Sequence, residues 1–343
     1  MRHLPNNYIG YLLFALALSA CAHQPNATKP ASSKFIVASA DNRATQAGIA
    51  VLKNGGDAVD AAIAVQSVLS LVEPQSSGVG GGAFMLYYDA STKQLHSFDG
   101  RETAPASIQP NTFLDADGKP KHYFDAAFGG QAVGVPGVMA LLDKTHKQFG
   151  NLPWGGLFAD AEQMAEQGFA VSPRLSNWLQ RFPNKGAHPT MLDYFYDKAG
   201  KARPAGFILK NPAYAETMRT TAKEGAQTYY TGAIAKQIVA AVSTSPITPR
   251  KLTLEDLANY KAIERQAVCA PYHAYKVCSM APPTSGGIFM LQVLGLLETF
   301  NLKQEAPFSD KAIHLIIEAS RLAYADRQQF IADPDFITVP TKS

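Results

Sequence analysis

Residues 57–74, DAVDAAIAVQSVLSLVEP, constrain the fold more than any other feature, because they predict a helix without a polar face. Asp57 is suited to cap the first turn, and Pro74 ends the segment. From Ala58 to Val72 nearly every residue is small or apolar. A helix that is apolar on all sides is buried on most of them. We therefore expect this helix to lie in the middle of a layered structure.

The remaining pattern mixes helices with short strands, and it predicts a loop over residues 183–209. Strands are predicted at residues 35–39, 83–88 and 95–98, and a hairpin over residues 266–279. Helices are predicted at residues 43–53, 138–149, 154–169, 173–182, 211–225, 231–243, 252–260, 288–300 and 309–331. The inner face of the last helix is predicted to carry Ile313, Ile316, Ile317 and Tyr324.

The composition is that of a globular chain with a nearly balanced charge. Its 343 residues are 46% hydrophobic, which is enough for a sizeable core, and the length predicts about one to three domains. The formal net charge is +3, and only 17% of the residues are charged. The sequence contains no basic run and no cluster of Lys and Arg interleaved with aromatic residues. We therefore expect no nucleic-acid partner.

The N-terminal residues are expected to be a targeting segment rather than part of the fold. Residues 8–20 form an apolar run that is too short to span a bilayer and is typical of a secretory signal. The run ends in LSAC, which resembles the lipobox of bacterial lipoproteins, with Cys21 as the lipidated residue. The alternative is an ordinary signal peptide that contains a cysteine.

This interpretation predicts a cellular location for the protein and a division of the chain into three segments. Ala22 follows Cys21 where an inner-membrane lipoprotein would carry Asp, which resembles the outer-membrane sorting pattern. We expect a lipoprotein signal at residues 1–20, a flexible polar tether at residues 21–33 and the folded region at residues 34–343. The protein is thus expected in the bacterial periplasm, anchored to a membrane, the outer one in particular, through a lipid.

The other two cysteines flank a predicted turn. Cys269 and Cys278 lie on two short strands joined at a Pro-Tyr-His-Ala turn, which would bring their sulfur atoms opposite each other. In an oxidising compartment this arrangement allows a disulfide, and the alternative is two buried free thiols. A metal site is not expected, because His273 lies at the tip of the turn and no fourth ligand has zinc spacing.

The glycine-rich loop GVGGG, residues 78–82, does not fit a nucleotide site. A phosphate-binding P-loop needs a Lys and a Ser or Thr after its glycines, but Ala83 and Phe84 follow here. The dinucleotide fingerprint needs the order strand, glycines, helix, and the order here is helix, glycines, strand. The residues alone favour a loop at which two backbones approach closely.

Two further motifs have ordinary structural interpretations. In APPTSGG, residues 281–287, the hydroxyl of Thr284 or Ser285 is expected to cap the following helix, because the strand-turn-helix elbow of a serine nucleophile is not evident. His314 and Glu318 are four residues apart on the last helix, but the second His of a zinc motif is absent. We therefore expect that pair to be a surface contact.

The motif DGRETAP, residues 99–105, places an arginine where the backbone turns sharply after a strand. An Arg fork pairs bidentately with a carboxylate better than any other side chain. Spacing alone leaves two interpretations of Arg101 open. It is either a solvated loop charge or a binding group aimed at a carboxylate.

Several motifs in the same order resemble the γ-glutamyltranspeptidase family. The resemblance covers nearly everything from about residue 34 to residue 343. It is carried by LKNGGDAVDAAIAVQSVLSLVEPQSSGVGGGAFMLYY, DGRETAP, GQAVGVPGV, SMAPPTSGG and EASRLAYADRQQFIADPDF.

The resemblance implies an N-terminal-nucleophile hydrolase with an α+β, four-layer α-β-β-α sandwich. Members of the family are made as one precursor that cuts itself before a threonine into a large and a small subunit. The freed threonine hydroxyl attacks the γ-glutamyl carbonyl of glutathione or a similar compound, with its own α-amino group as base. Water, an amino acid or a dipeptide then resolves the acyl-enzyme. The family chemistry implies no cofactor.

For this chain, the resemblance implies that Arg101 binds the α-carboxylate of the glutamyl group. It also implies an incomplete sandwich, because the nucleophilic threonine opens the small subunit, beyond the equivalent of residue 343. Residues 34–343 would then be most of a large subunit, inactive alone. The alternatives are a non-catalytic γ-glutamyl-binding or orphan lipoprotein, and an acylase for β-lactam side chains, against which the DGRE arginine argues.

Overall fold

The computed structural model describes residues 34–181 and 188–341, and the chain divides into two units, residues 1–37 and residues 38–343. The predicted signal at residues 1–20 and the tether at residues 21–33 lie outside the described residues. The predicted strand at residues 35–39 is wrong. Ile36 is 88% exposed, and this segment pairs with no strand in the described parts of the chain. A short apolar run becomes a strand only where a neighbour accepts its backbone hydrogen bonds.

Helices make up most of the regular structure. In chain order the α-helices of the described residues are Asn42–Lys53 (α1), Ala58–Val72 (α2), Tyr123–Ala127 (α3), Val138–Phe149 (α4), Ala159–Gln167 (α5), Pro173–Arg181 (α6), Pro189–Phe195 (α7), Pro212–Glu224 (α8), Ala233–Ser243 (α9), Leu254–Ala258 (α10), Gly286–Glu298 (α11) and Asp310–Phe330 (α12). Short 3-10 turns precede several of them.

The strands form small antiparallel sheets. They are Ala83–Asp89 (β1), Gln94–Gly100 (β2), Phe169–Ala170 (β3), Ile208–Leu209 (β4), Ile263–Glu264 (β5), Val268–Tyr272 (β6) and Tyr275–Ser279 (β7). One sheet has the order β1-β2-β5, and the pairs β3-β4 and β6-β7 form two further sheets. The fold of the described residues is therefore mixed α and β, as expected.

The burial of helix α2 confirms the expectation drawn from its sequence. Ile63, Val68 and Val72 are fully buried in the main core, where Phe98 of β2 and Leu141 of α4 join them. Burying one such side chain contributes about 1.5–3 kcal/mol. Helix α2, which has no polar face, is thus covered by its neighbours.

The two acidic residues at the start of α2, Asp57 and Asp60, form hydrogen bonds that cap the helix. The Asp57 carboxylate accepts from the N–H groups of Val59 and Asp60 at 2.8 and 2.9 Å, and Asp60 accepts in return from the N–H of Asp57 at 3.1 Å. Asp60 also accepts from the N–H groups of Asn151 and Leu152 at 3.0 and 2.9 Å. This buried carboxylate both closes the capping box and joins α2 to the loop after α4.

Two further predicted segments differ from the structure. Residues 154–169 begin as a 3-10 turn, become α-helical only at Ala159–Gln167 and end with Phe169 in β3. Residues 183–209, predicted as a loop, contain helix α7 and strand β4. Pro189 begins α7 at the first helical position, where the missing N–H costs nothing. Strand β4 has two residues and is defined by its antiparallel pairing with β3.

The last helix presents its predicted inner face to solvent. Ile313, Ile316, Ile317 and Tyr324 are 41–50% exposed, whereas Ala319 and Ala323 are buried. The predicted inner face is therefore wrong for the described chain, because its large apolar side chains are uncovered and the buried face of α12 carries alanines. Among the described residues, no helix is both long enough and apolar enough to cross a membrane.

Candidate functional site

The β1-β2 hairpin brings the glycine loop and Arg101 to one end of the sheet. In the antiparallel register Ala83, the first residue of β1, lies opposite Gly100, the last residue of β2. The glycine loop, residues 78–82, enters β1 at this point, and Arg101 leaves β2 at the same point. Two motifs that are some twenty residues apart in sequence are therefore neighbours in space.

The glycine loop is in tight contact with the chain that follows β2. A Cβ atom built on Gly82 would lie 2.2 Å from Oε2 of Glu102 and 2.8 Å from the backbone nitrogen of Glu102. No side chain fits into that distance. The expected close approach of two backbones is confirmed, and it explains why the loop carries glycine at residue 82.

The second glycine-rich loop, GQAVGVPGV at residues 130–138, contacts the same end of the sheet. We call this region, formed by the two glycine-rich loops and residues 99–105, the Arg101 corner. The N–H groups of Gly137 and Val138 donate to the carbonyl oxygen of Gly81 at 2.8 and 3.0 Å. The N–H of Val135 donates to the carbonyl oxygen of Thr103 at 2.9 Å. The Gly81 carbonyl thus accepts from the first turn of α4, whose free N–H groups need such a partner.

Arg101 is held through its backbone on both sides. Its N–H donates to Oδ1 of Asp99 at 2.9 Å, and its carbonyl oxygen accepts from the hydroxyl of Tyr260 at 2.7 Å. The side chain is solvent-exposed, and its guanidinium has neither a hydrogen-bond nor an ion-pair partner within residues 34–181 and 188–341. The arrangement fixes the Cα position of Arg101 while leaving its fork available to a ligand.

Tyr260 is suited to this supporting role. Its ring stacks on Tyr230, with 5.7 Å between the ring centroids and 12° between the ring planes. Burial raises the pKa of Tyr260 well above its usual range, and the negative charges of Asp99 and Glu102 act in the same direction. The hydroxyl therefore stays protonated at physiological pH and remains a donor to the Arg101 carbonyl.

Asp99 is itself held by a second arginine. Only 6% of Asp99 is exposed, and its Oδ2 accepts from Nε of Arg265 at 2.8 Å. The two terminal nitrogens of Arg265 donate to the two carboxylate oxygens of Asp335, each at 3.0 Å. Sequence reasoning missed Tyr260 and Arg265, because neither belongs to a recognisable motif and both act over more than 150 residues of sequence.

The two cysteines of the hairpin are bonded in the structure. Cys269 of β6 lies directly opposite Cys278 of β7, with 4.1 Å between their Cα atoms. Cys269 is exposed and Cys278 is half-buried, so the alternative of two buried thiols does not describe this hairpin. The lipidation residue, Cys21, lies outside the described residues.

The remaining motifs take structural roles. Of the two hydroxyls expected to cap α11, that of Thr284 accepts from the N–H of Gly286, the first residue of the helix, at 3.5 Å. The Oγ of Ser285 does not cap the helix and accepts from Nε of Arg327 at 2.8 Å instead. Glu318 pairs with Arg321 one turn further along α12 rather than with His314. Within the described residues no group of three or more His, Cys, Asp and Glu side chains is arranged to hold a metal ion.

The family model described as Gamma-glutamyltranspeptidase matches residues 44–343, which contain every motif of this corner. The chain belongs to the γ-glutamyltranspeptidase family. It is 35% identical to the glutathione hydrolase proenzyme of Bacillus subtilis (strain 168) over 307 residues, which are 90% of this chain and 52% of that protein. The corresponding protein of Escherichia coli (strain K12) is 36% identical over 310 residues, with 89% of this chain and 52% of that protein covered.

A solved structure of the same family has a similar fold. The γ-glutamyltranspeptidase of Helicobacter pylori superposes with a TM-score of 0.84 at 32% identity, over 90% of this chain and 87% of that one. The chain spans about half the length of the curated relatives that it matches. The family is therefore established for this chain, and it is a family of N-terminal-nucleophile hydrolases.

Proposed function

We propose that this chain is the large-subunit part of a γ-glutamyltransferase and glutathione hydrolase, in which Arg101 binds the α-carboxylate of the γ-glutamyl group. One observation carries the proposal. Arg101 is fixed through both backbone groups, yet its guanidinium has no partner among the described residues. The guanidinium of Arg265, by contrast, is used within the fold, where it binds Asp99 and Asp335.

In the proposed reaction, that fork positions the substrate. A bidentate pair between the guanidinium and the α-carboxylate fixes the position of the glutamyl group. The γ-carbonyl then lies at a set distance from the carboxylate, where a threonine hydroxyl attacks it. The amide C–N bond breaks as the ester to threonine forms, and the amine leaves with the proton that the threonine hydroxyl gives up. Water in hydrolysis, or the amino group of an amino acid or a dipeptide in transfer, then attacks the ester and releases the threonine hydroxyl. The attacking threonine belongs to the small-subunit part, which together with this chain completes the α-β-β-α sandwich.

The proposed cellular location is the bacterial periplasm, with Cys21 lipidated and the protein anchored at the outer membrane. It rests on the LSAC pattern and on Ala22. Growth of the producing cells with labelled palmitate tests this anchor, because the label enters the acyl chain of a lipoprotein. We expect label in the wild-type protein and none in Cys21→Ser, whereas equal labelling of both would contradict the anchor.

The binding role of Arg101 is tested in the assembled enzyme, meaning this chain together with the part that carries the threonine. Replacing Arg101 by Lys keeps the charge and removes the fork. We expect Arg101→Lys to raise KM for γ-glutamyl-p-nitroanilide by about 10- to 100-fold, the equivalent of one charge-assisted hydrogen bond.

The matched control is Arg219→Lys. Arg219 is paired with Glu162, Glu166 and Glu216 on exposed helix surfaces, away from the glycine loop. This variant is expected to keep the wild-type KM. An unchanged KM in Arg101→Lys would contradict the proposed role. Sequencing the DNA beyond codon 343 supplies a separate check, since a continuing frame or a second gene that begins near a Thr-Thr-His-like motif would support the proposal.

A further inference from the structure

Arg265 links two segments that are far apart in sequence. On one side it contacts β2: its N–H donates to the carbonyl oxygen of Ser97 at 2.9 Å, and its Nε donates to Asp99 at 2.8 Å. On the other side its two terminal nitrogens bind Asp335, in the segment after α12. The side chain is only 14% exposed, and three of its five N–H donors are used in these contacts.

Asp99 carries this link to the Arg101 backbone. Its two oxygens have different partners: Oδ2 accepts from Arg265, and Oδ1 accepts from the N–H of Arg101. A carboxylate that is held by both oxygens cannot rotate without breaking one of the bonds. The orientation of Arg265 therefore determines where the N–H of Arg101 finds its acceptor.

The segment after α12 presents Asp335 in a defined turn. Oδ1 of Asp333 accepts from the N–H of Asp335 at 3.0 Å, and the carbonyl oxygen of Asp333 accepts from the N–H groups of Phe336 and Ile337, each at 3.1 Å. Phe336 is 85% exposed, so apolar packing contributes little to holding this turn. The Arg265 fork is thus a principal tie between residues 333–337 and the sheet.

We propose that Arg265 is a positioning residue that couples the segment after α12 to the loop carrying Arg101. When Asp335 is bound, Arg265 holds Asp99, and Asp99 holds the Arg101 backbone in the conformation that offers its fork to a carboxylate. When residues 333–337 detach, Arg265 loses two of its three side-chain hydrogen bonds and the Arg101 loop loosens. The ligand class, a γ-glutamyl carboxylate, rests on the function proposed above; the coupling itself does not.

The coupling predicts an effect of Asp335 on an amide that it does not touch. In Asp335→Asn the amide exchange of Arg101 is expected to increase at least several-fold, measured by hydrogen exchange on the assembled enzyme. In the same variant KM for γ-glutamyl-p-nitroanilide is expected to rise several-fold, with kcat changed much less. Asp335→Glu keeps the carboxylate and should recover most of both effects.

Arg265→Lys provides a second variant, because a compact ammonium lacks the planar fork that binds Asp99 at Nε and both oxygens of Asp335 at the two terminal nitrogens. It is expected to produce the same two changes, and Arg265→Lys combined with Asp335→Asn should add little, since both remove one link. If Arg265→Lys fails to fold, Asp335→Asn still tests the proposal, because it changes a half-exposed side chain and keeps both residues of the buried Arg265–Asp99 pair.

The outcomes separate this coupling from the binding role of Arg101. Asp335→Asn that leaves both the Arg101 amide exchange and KM at the values of the control Arg219→Lys would overturn the coupling. Arg101→Lys with an unchanged KM would overturn the proposed substrate site instead, while a faster Arg101 amide in Asp335→Asn would still support the coupling.

Discussion

At the scale of single residues, the corner around Arg101 depends on close backbone contacts that only glycine permits. Gly82 leaves room for Glu102, and Gly137 lies so close to Gly100 that an added Cβ would meet its carbonyl oxygen at 2.0 Å. Such contacts leave no space for adjustment by side chains. The positions of Arg101 and Glu102 are therefore set by the glycines around them.

Gly82→Ala tests this dependence. Its methyl group would displace the backbone of Glu102 as well as its flexible carboxylate, and overpacking of this kind costs about 1–3 kcal/mol. We expect a lower midpoint of thermal unfolding in the assembled enzyme and a higher KM for γ-glutamyl substrates. Gly80→Ala, in the same loop but with open space around its Cβ, is the matched control. Equal effects of the two substitutions would contradict the steric explanation.

The sequence identified some of these residues and not others, for a physical reason. Arg101 and the glycine loop belong to contiguous motifs whose local chemistry is visible, and the glycines were predicted to mark a close approach. Tyr260 and Arg265 act on residues 159 and 166 positions away. Their roles come from tertiary packing, which the periodicity and spacing of the sequence do not predict.

At the scale of elements, local signals predicted the helices well where a capping side chain is present. Asp41, Asp57 and Ser309 accept hydrogen bonds at the starts of α1, α2 and α12, and these three helices begin within one residue of the prediction. Helices α3 and α7 and strands β3, β4 and β5 were missed because they are short. Elements of two to seven residues are stabilised by their neighbours rather than by their own sequence.

The β6-β7 hairpin offers a prediction about stability. The bond between Cys269 and Cys278 closes a loop with a sequence separation of 9, for which loop-closure entropy gives about 2–3 kcal/mol. Replacing both cysteines by Ser should lower the midpoint of thermal unfolding of the assembled enzyme. The matched comparison is reduction with a thiol, which should lower the wild-type midpoint and leave that of the double variant unchanged. A wild-type midpoint insensitive to reduction would contradict this expectation.

The segment after α12 gives a prediction about pH. Hydrogen bonds from Arg265 lower the pKa of Asp335 below its usual value of 3.8. A carboxylate whose pKa is lowered on folding stabilises the native state above its unfolded pKa, and this contribution disappears as the pH falls through the lowered value. Because 48% of the Asp335 side chain is exposed, we expect no more than about 0.5–1 kcal/mol.

Unfolding of the assembled enzyme at pH 5 and pH 3 measures this contribution. Asp335→Asn should be less stable than wild type at pH 5, and the difference should shrink towards pH 3. Asp117→Asn is the control, because Asp117 forms no ion pair within the described parts of the chain. A difference between wild type and Asp335→Asn that grows on acidification would have the wrong sign for this explanation.

At the scale of the whole molecule, the described chain leaves apolar surface uncovered. Ile316, Ile317 and Tyr324 of α12 line a groove of about 540 Å³ together with Phe289 of α11. In the sheet order β1-β2-β5 the outer edge of β1 has no neighbour among the described residues. Exposed apolar faces and open strand edges favour association with other chains.

We therefore expect this chain by itself to associate in solution and to show no turnover of a γ-glutamyl chromogenic substrate. Size-exclusion chromatography with light scattering measures the first property. Replacing both Ile316 and Ile317 by Gln should reduce the association, whereas Tyr275→Gln, at an exposed position on β7 outside the groove, should not. A monomer with a cooperative thermal transition would contradict this expectation.

The pairing of Ala83 with Gly100 has a consequence for engineering the protein. Side chains alternate between the faces of a strand, so one extra residue between positions 83 and 100 that shifted the pairing would turn Arg101 towards the opposite face. The turn at residues 90–93 joins the far ends of the same two strands and is solvent-exposed. An epitope tag spliced into that turn would leave the ladder in register and keep the tag a full strand length away from the guanidinium.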